Sequence, residues 1–308
     1  AASSARMGTC GATASITNGS AMRLQRFISA RAAGYSDMSS SAAGQTVADW
    51  DEELLLLYTY SPPDYYPSIY GYNETGFDYV PVTASTQTLD PGVGFEVYLD
   101  SDGAQTTFNN TTVINSGAPT VGDVDMSGYV TMVNDGWNLL GNPYHSNLSW
   151  DALHATTTNI STSIMFYDEV LADFITVTTG SGELIAPNQG FWVNVTGAPS
   201  FTFTEAIKST SNSSTFRSQA NGMFTLRVKN TGDTPYTSGT SFRFSTTHET
   251  EINGNLPFKK LPHPDAPALC SKSLDGKDLK INLLNSSENT LSVPLKFSAG
   301  ISGIYTIV

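Results

Sequence analysis

Histidines are the first place to look for chemistry, and the four here, His145, His154, His248 and His263, contain no pair at metal-ligand spacing. His248-Glu249 has half of a zincin helix motif and lacks its second histidine. The run Asp123-Val124-Asp125-Met126-Ser127-Gly128 does open like a calcium loop, with oxygen-bearing residues at the first, third and fifth places and glycine at the sixth. At the twelfth place, where a bidentate glutamate would close the shell, stands Asn134. Asp123, Asp125 and Ser127 are therefore the candidate cation ligands, Ca²⁺ is the cofactor they would take, and a hairpin turn is the alternative. Adjacent acids occur at Asp51-Glu52-Glu53 and at Asp168-Glu169, but neighbours on a strand point to opposite faces, so these read as surface charge rather than as an acid–base pair. Neither a Gly-x-Ser-x-Gly elbow nor a phosphate-binding glycine loop with its lysine occurs. No catalytic residue follows from these patterns, and the chain reads as a non-enzyme.

Aromatic residues offer a second kind of chemistry. Tyr58, Tyr60, Tyr65, Tyr66, Tyr70, Tyr72 and Tyr79 are half of the 14 tyrosines and share one Pro- and Gly-punctuated stretch with Phe77. A tyrosine ring presents an apolar face and a polar tip, suited to stacking on sugar rings or to anchoring a protein interface. The other use is packing, with Tyr58 and Tyr60 alternating into a core and the rest covering a loop. Tyr65, Tyr66, Tyr70, Tyr72, Phe77 and Tyr79 are the candidate ligand or interface residues. Cys10 and Cys270 are too far apart for a metal knuckle or a redox pair. They are either two unpaired thiols or one disulfide joining the ends of the chain, which in the chain-entropy account would contribute about 4–5 kcal/mol.

The composition bounds the class. With 308 residues, 39% of them apolar, the chain can bury two cores, and no apolar run reaches the length of a membrane-spanning helix. Only 14% of residues are charged, against roughly 25% in an average soluble domain; Ser, Thr, Asn and Gly take their place, which suggests an extracellular setting. No basic and apolar leader begins at Ala1, so any export signal is expected to have been removed or left out. The charge is unevenly placed. Residues 1–207 hold four basic and 21 acidic residues, a net −17, with no Lys or Arg among the 176 residues from Ala32 to Ile207. Residues 208–308 hold 11 basic and seven acidic residues, a net +4. Nucleic acid and anionic membrane surfaces are disfavoured as partners, because both are bound through Lys and Arg. Unlike charge at the two ends instead favours head-to-tail contact between copies.

Period-two alternation, as in Met223 to Lys229 and in Leu279-Lys280-Ile281, recurs along the chain between turn residues, and Pro294 marks an edge strand. In the first part, strands are predicted at Arg23 to Ile28, Leu54 to Tyr60, Gly94 to Leu99, Thr106 to Ile114, Tyr129 to Val133, Gly136 to Leu140, Ser163 to Tyr167, Phe174 to Thr178 and Gly190 to Val195. One short helix is expected near Trp150 to Ala155. The fold class is all-β, as two β-sandwich domains of jelly-roll or Ig-like type. An acidic domain carrying the tyrosine-rich stretch is expected at 1–207 and a smaller one at 208–308, divided where the charge changes and the Ser/Thr-rich run 209–215 reads as a linker.

Three segments resemble a known family. Gly136-Trp137-Asn138-Leu139-Leu140-Gly141-Asn142-Pro143-Tyr144, with Ser146 and Trp150-Asp151, is similar to a signature of large secreted proteins of Bacteroidota. Ile185-Ala186-Pro187-Asn188-Gln189-Gly190-Phe191-Trp192-Val193 resembles the strand that follows it there. The tail from Phe242 to Tyr305-Thr306 resembles the β-domain that precedes the C-terminal sorting domain of type IX secretion cargo. His145 departs from the pattern by standing where those proteins usually have proline, and no sorting domain follows Val308, which implies processing, truncation or a longer parent. The resemblance implies export to the outer cell surface or the medium and brings no catalytic residues. Physically, Trp137, Asn138, Gly141, Asn142, Pro143, Tyr144 and Trp150 read as a structural motif: a buried strand, a glycine permitting an unusual backbone angle, a turn fixed by Asn-Pro, and two rings packed over its end. The function expected is a secreted or cell-surface structural or adhesive module that binds itself, other surface proteins or glycans; the alternative is a carbohydrate-binding region of a larger secreted hydrolase. Digestion of the native chain with a broad-specificity protease is expected to cut first between roughly 205 and 222; first cuts deep inside 1–200 would remove the division.

Overall fold

The computed structural model describes residues 9–10, 22–58, 67–101, 107–168, 173–211, 223–230, 237–245, 256–257, 266–273, 275–285 and 292–307. Tyr60, Tyr65, Tyr66, Glu169, His248 and His263 lie outside the described residues. The fold is an all-β sandwich. Among the described residues the helices are short, Val47–Asp51, Trp150–His154 and a 3-10 turn at Glu205–Ile207.

A first sheet has the strand order Gly34–Ser39, Gly94–Leu99, Ile69–Asn73, Asp78–Pro81. Alternation sorts its side chains. Met38, Phe95, Val97, Leu99 and Ile69 face a core shared with Trp50 of the first helix and with Ile28 and Val113 of the paired strands Met22–Ile28 and Thr111–Pro119. The opposite face carries Tyr35, Asp37, Glu96, Tyr98, Tyr70, Tyr72 and Tyr79 in register. A second sheet runs Trp137–Gly141, Gly190–Ser200, Thr158–Asp168, Asp173–Thr178. One of its faces joins Leu140, Ile164, Phe166, Phe191 and Val193 to Tyr144, Trp150, Phe201 and Phe203 in a second core. The other face presents Trp137, Leu139, Met165, Phe174 and Trp192 to Tyr72 of the first sheet.

The two sheets meet at one corner where three of the four facing residues are glycine and the fourth is the small Ser39. Ser39 pairs with Gly94, and Gly141 pairs with Gly190, and these two pairs abut. A Cβ on Gly94 would stand 2.5 Å from the Leu140 carbonyl oxygen, one on Gly190 2.8 Å from the Asp37 backbone, and one on Gly141 inside the Ser39 side chain. Backbone hydrogen bonds cross the seam from Ser39 N–H to Asn188 O (3.0 Å) and from Gly141 N–H to Gly92 O (2.9 Å). The role expected for Gly141 is thereby corrected: its φ is not positive, and glycine is required there for space.

Residues from Met223 onward form a third sheet in the order Leu295–Ser298, Ala268–Lys272, Asp278–Asn285, Thr237–Ser245, Met223–Asn230, Tyr305–Ile307, with Leu256–Pro257 beside Asp278–Asn285. Ser241–Ser245 and Ile281–Asn285 run parallel. Pro294 immediately precedes the edge strand, as expected. Strands before 210 pair among themselves, and Lys208–Ser209 still pairs with Asn147–Leu148, two residues beyond the expected boundary. Ile281 of the third sheet packs into the aromatic face between the first two.

Several expectations change. Tyr129 to Val133 is a turn rather than a strand, and Leu54 to Tyr58 runs extended without joining a ladder, although Leu54 and Leu56 are buried and Leu55 and Leu57 exposed. The helix Trp150–His154 is where it was predicted, with Ser149 as its N-cap. The disulfide between Cys10 and Cys270 is not formed; Cys270 sits inside the third sheet and the Cys10 N–H is bonded to Glu205 in the first part. Asp168 is buried rather than a surface charge.

Gly141→Ala is expected to lower stability by about 3 kcal/mol, because the added methyl would overlap the buried Ser39 side chain and crowd the Val93 carbonyl. Gly34→Ala, where an added Cβ meets nothing within 4 Å, is expected to stay within about 0.5 kcal/mol. Urea unfolding of both variants measures this, and equal effects would show that the seam is not tight.

Candidate functional site

Among the described residues of the tyrosine-rich stretch, Tyr70, Tyr72 and Tyr79 do not form the exposed stacking surface that an interface or glycan site requires. Tyr70 is 1% and Tyr72 9% exposed, and Tyr79 is half-buried. Their alternation in Ile69–Asn73 and Asp78–Pro81 turns them toward the second sheet, where Tyr72 lies edge-on to Trp192 (centroids 4.8 Å apart) and to Tyr79 (5.5 Å). Such edge-to-face contacts suit the ring quadrupoles. Phe77 closes the turn between these strands with φ 51°. Packing is thus the use made of the described members of the cluster.

Among those rings sits a pair of acids that the motif reading missed. Asp37 and Glu96 are directly opposite each other on adjacent strands, in one row with Tyr70, and each is 5% exposed. The Trp192 indole N–H donates to Asp37 Oδ2 at 3.1 Å, and the Tyr79 hydroxyl bonds Glu96. Glu96 Oε2 has no hydrogen-bond partner. Burial pushes the Glu96 carboxyl up to about 7, against the pull of the Tyr79 hydrogen bond and of Lys280 in the third sheet. The same burial, followed by the charge of Glu96, drives the Tyr79 hydroxyl well above its ordinary range. A clue was present in the sequence: Glu96 is a lone acid inside the apolar run Gly94–Leu99, both faces of which are buried.

Two further carboxylates serve as structural plugs. Glu74, at the turn after Ile69–Asn73, is 3% exposed and accepts from the N–H groups of Val133, Asn134 and Gly136 and from the Thr131 hydroxyl (2.5–3.1 Å). Burial alone would raise its carboxyl, but these donors outweigh it and hold it below the usual carboxylate range. Residues 131–136 curl around this acid, which is why the predicted strand there is a turn. Gly136, at φ 72°, supplies the left-handed residue that aims its N–H inward. Glu205 accepts from the N–H groups of Cys10 and Gly122 and from Lys208 Nζ at 2.6 Å, while that ammonium lies 4.2 Å from the Tyr144 ring centroid. The Tyr144 hydroxyl donates to Gly122 O or Phe203 O. His145 is buried beside this group, and burial, then the Lys208 charge, hold its imidazole down at about 4, hence neutral at pH 7.

The candidate calcium ligands turn to separate partners. Asp125 Oδ1 accepts from the Ser127 N–H (2.9 Å), Ser127 Oγ from the Phe201 N–H, and Asp123 Oδ1 from the Glu205 N–H. Among the described residues no group of three or more His, Cys, Asp or Glu gathers as a metal site. The signature residues act structurally: Asn138 bonds both N–H and O of Thr131, and Asn142 bonds Tyr144, Ser146 and Ile185. Pro143 follows in that turn, and the Trp150 indole donates to Thr162 O at 3.2 Å. No helix of the described residues is long and apolar enough to cross a membrane. No family model matches the chain, and comparison with curated proteins and with solved structures yields no match.

Glu74→Gln is expected to cost about 2 kcal/mol at pH 7, since hydrogen bonds to a charged acceptor are the stronger kind. The sign with pH follows from the lowered carboxyl: its stabilisation is complete above the ordinary carboxylate range and is lost as pH falls through the folded-state value. Denaturant titrations at pH 7 and in acid should show the gap between the unmodified chain and the variant closing in acid, and a gap independent of pH would overturn the charged cage.

Proposed function

We propose that this chain is a non-catalytic structural or adhesive module of a secreted or cell-surface protein, acting through contact between copies of itself. The observation that carries this reading is the edge of the third sheet. Among the described residues Leu295–Ser298 is an edge strand, exposed at every position, with Leu295 and Phe297 both 44% exposed, and Ile301, Ile304 and Ile307 follow as exposed apolar residues. An open edge with exposed apolar side chains is a template for strand addition and an unusual surface to leave bare. The hydrogen bonds by which Asp37, Glu74 and Glu205 tie separate strands and turns together support a structural role. Export to the surface is supported by the resemblance of Gly136 to Tyr144 and by the scarcity of charged residues.

Charge contributes less to the contact than its count suggests. Lys272 and Lys296 both pair with Asp278, and Lys277 lies 3.6 Å from Asp275, so these lysines are partly neutralised within their own sheet. Association therefore depends mainly on the apolar edge, with the acidic first part adding a salt-dependent component. The glycan-binding alternative loses the faces of Tyr70 and Tyr72, which are covered.

Light scattering and negative-stain microscopy across protein concentration and salt measure the association. Phe297→Ser with Ile304→Ser is expected to abolish it, and raising salt to about 0.5 M to weaken it only partly. A chain that stays monomeric at every concentration overturns assembly by this module alone.

A further inference from the structure

The buried acid pair lies where the third sheet docks on the first two. Directly opposed residues on antiparallel strands have Cβ atoms about 5 Å apart, and two carboxylates at that separation, out of water, do not both ionise. Asp37 has the Trp192 indole N–H to favour its charge, whereas Glu96 has one hydroxyl and an unpartnered oxygen. The proton therefore resides on Glu96. The titratable groups facing it are Tyr35 and Asp37 on one neighbouring strand, Tyr98 on its own, Tyr70 and Tyr79 beyond, Tyr167 of the second sheet and Lys280 of the third. One ammonium stands against two carboxylates in that set, so a single proton balances the charge.

We propose that the Asp37–Glu96 pair is a proton-dependent latch for the third sheet: with the proton in place the sheet stays docked on the aromatic face, and its loss loosens the contact.

The coupling runs through covered rings. Ile281 of the third sheet packs into the cluster of Tyr72 and Trp192; both rings lie edge-on to Tyr79, whose hydroxyl holds Glu96. When the third sheet lifts, water reaches that cluster and Glu96 returns toward its ordinary range, so the open state binds fewer protons above pH 4.5. Because the folded carboxyl is raised, the docked state has no penalty below the ordinary value and an increasing one as pH rises toward about 7. From the ordinary 4.5 to about 7, linkage gives an opening equilibrium about tenfold larger at pH 8 than at pH 6.

Hydrogen exchange of the full chain at pH 6 and pH 8, normalised for intrinsic rates, tests this. Amides of Asp278–Asn285 and Ile69–Asn73 are expected to lose about tenfold protection at pH 8, with strands of the second core unchanged, and Glu96→Gln should keep equal protection at both. Equal protection at both pH values in the unmodified chain overturns the latch, as does the same pH slope in the variant or a loss spread evenly over all sheets. Should the variant fail to fold, the carboxyl ¹³C shift of Glu96 in the unmodified chain gives the answer directly: a midpoint near 7 supports the latch and one in the ordinary carboxylate range overturns it.

Discussion

Two antiparallel strand pairs end against each other at Ser39–Gly94 and Gly141–Gly190, and the absence of a side chain at three of those four positions governs the rest of the molecule. Sheets in a sandwich normally stand about 10 Å apart, filled by interdigitated side chains. Here they touch along backbone at one corner. Away from it large rings lie between them: Tyr72, Tyr79, Trp192 and Phe174 meet edge to face, with Ile281 in the same cluster. The tyrosines of Ile69–Asn73 and Asp78–Pro81 serve that filling, and their polar tips bring with them the need for buried partners.

How those partners are supplied follows from an absence of cations. From Ala32 to Ile207 the chain has no lysine or arginine, yet it buries Asp37, Glu74 and Glu96. An acid cannot be buried unanswered. Backbone N–H groups answer Glu74, an indole answers Asp37, and Glu96 is left with a hydroxyl and a raised carboxyl. Glu205 is answered by a cation, Lys208, which lies three residues further on, where basic residues resume.

Gly94–Leu99 and Asp173–Thr178 were legible in the sequence because short apolar, β-branched and aromatic runs bounded by turn residues read as strands. So was the capped helix at Trp150. Gly34–Ser39, Ile69–Asn73 and Asp78–Pro81 were not, because the face they turn toward the second sheet is tyrosine and acid, which looks like loop composition. The turn at 131–136 was hidden for a different reason: its apolar residues Val130 and Val133 imitate a strand, and the group that bends it, Glu74, is about 60 residues away. Acid pairing across Asp37 and Glu96 is likewise a product of register, which no spacing in the chain encodes.

The seam also sets the order in which the chain can find its structure. Hairpins such as Tyr72–Tyr79 and Ser163–Thr178 close over short loops, whereas Ser39 reaches Asn142 and Gln189 across 103 and 150 residues. Contacts that distant form only after the intervening chain has surrendered much of its freedom, and they slow folding in proportion to their share of the whole. A corner with room for no side chain but that of Ser39 leaves little room for approximate closure, so its backbone hydrogen bonds form only with the sheets in correct register. Until those contacts form, the aromatic face of Tyr72, Trp192 and Phe174 is left without its cover.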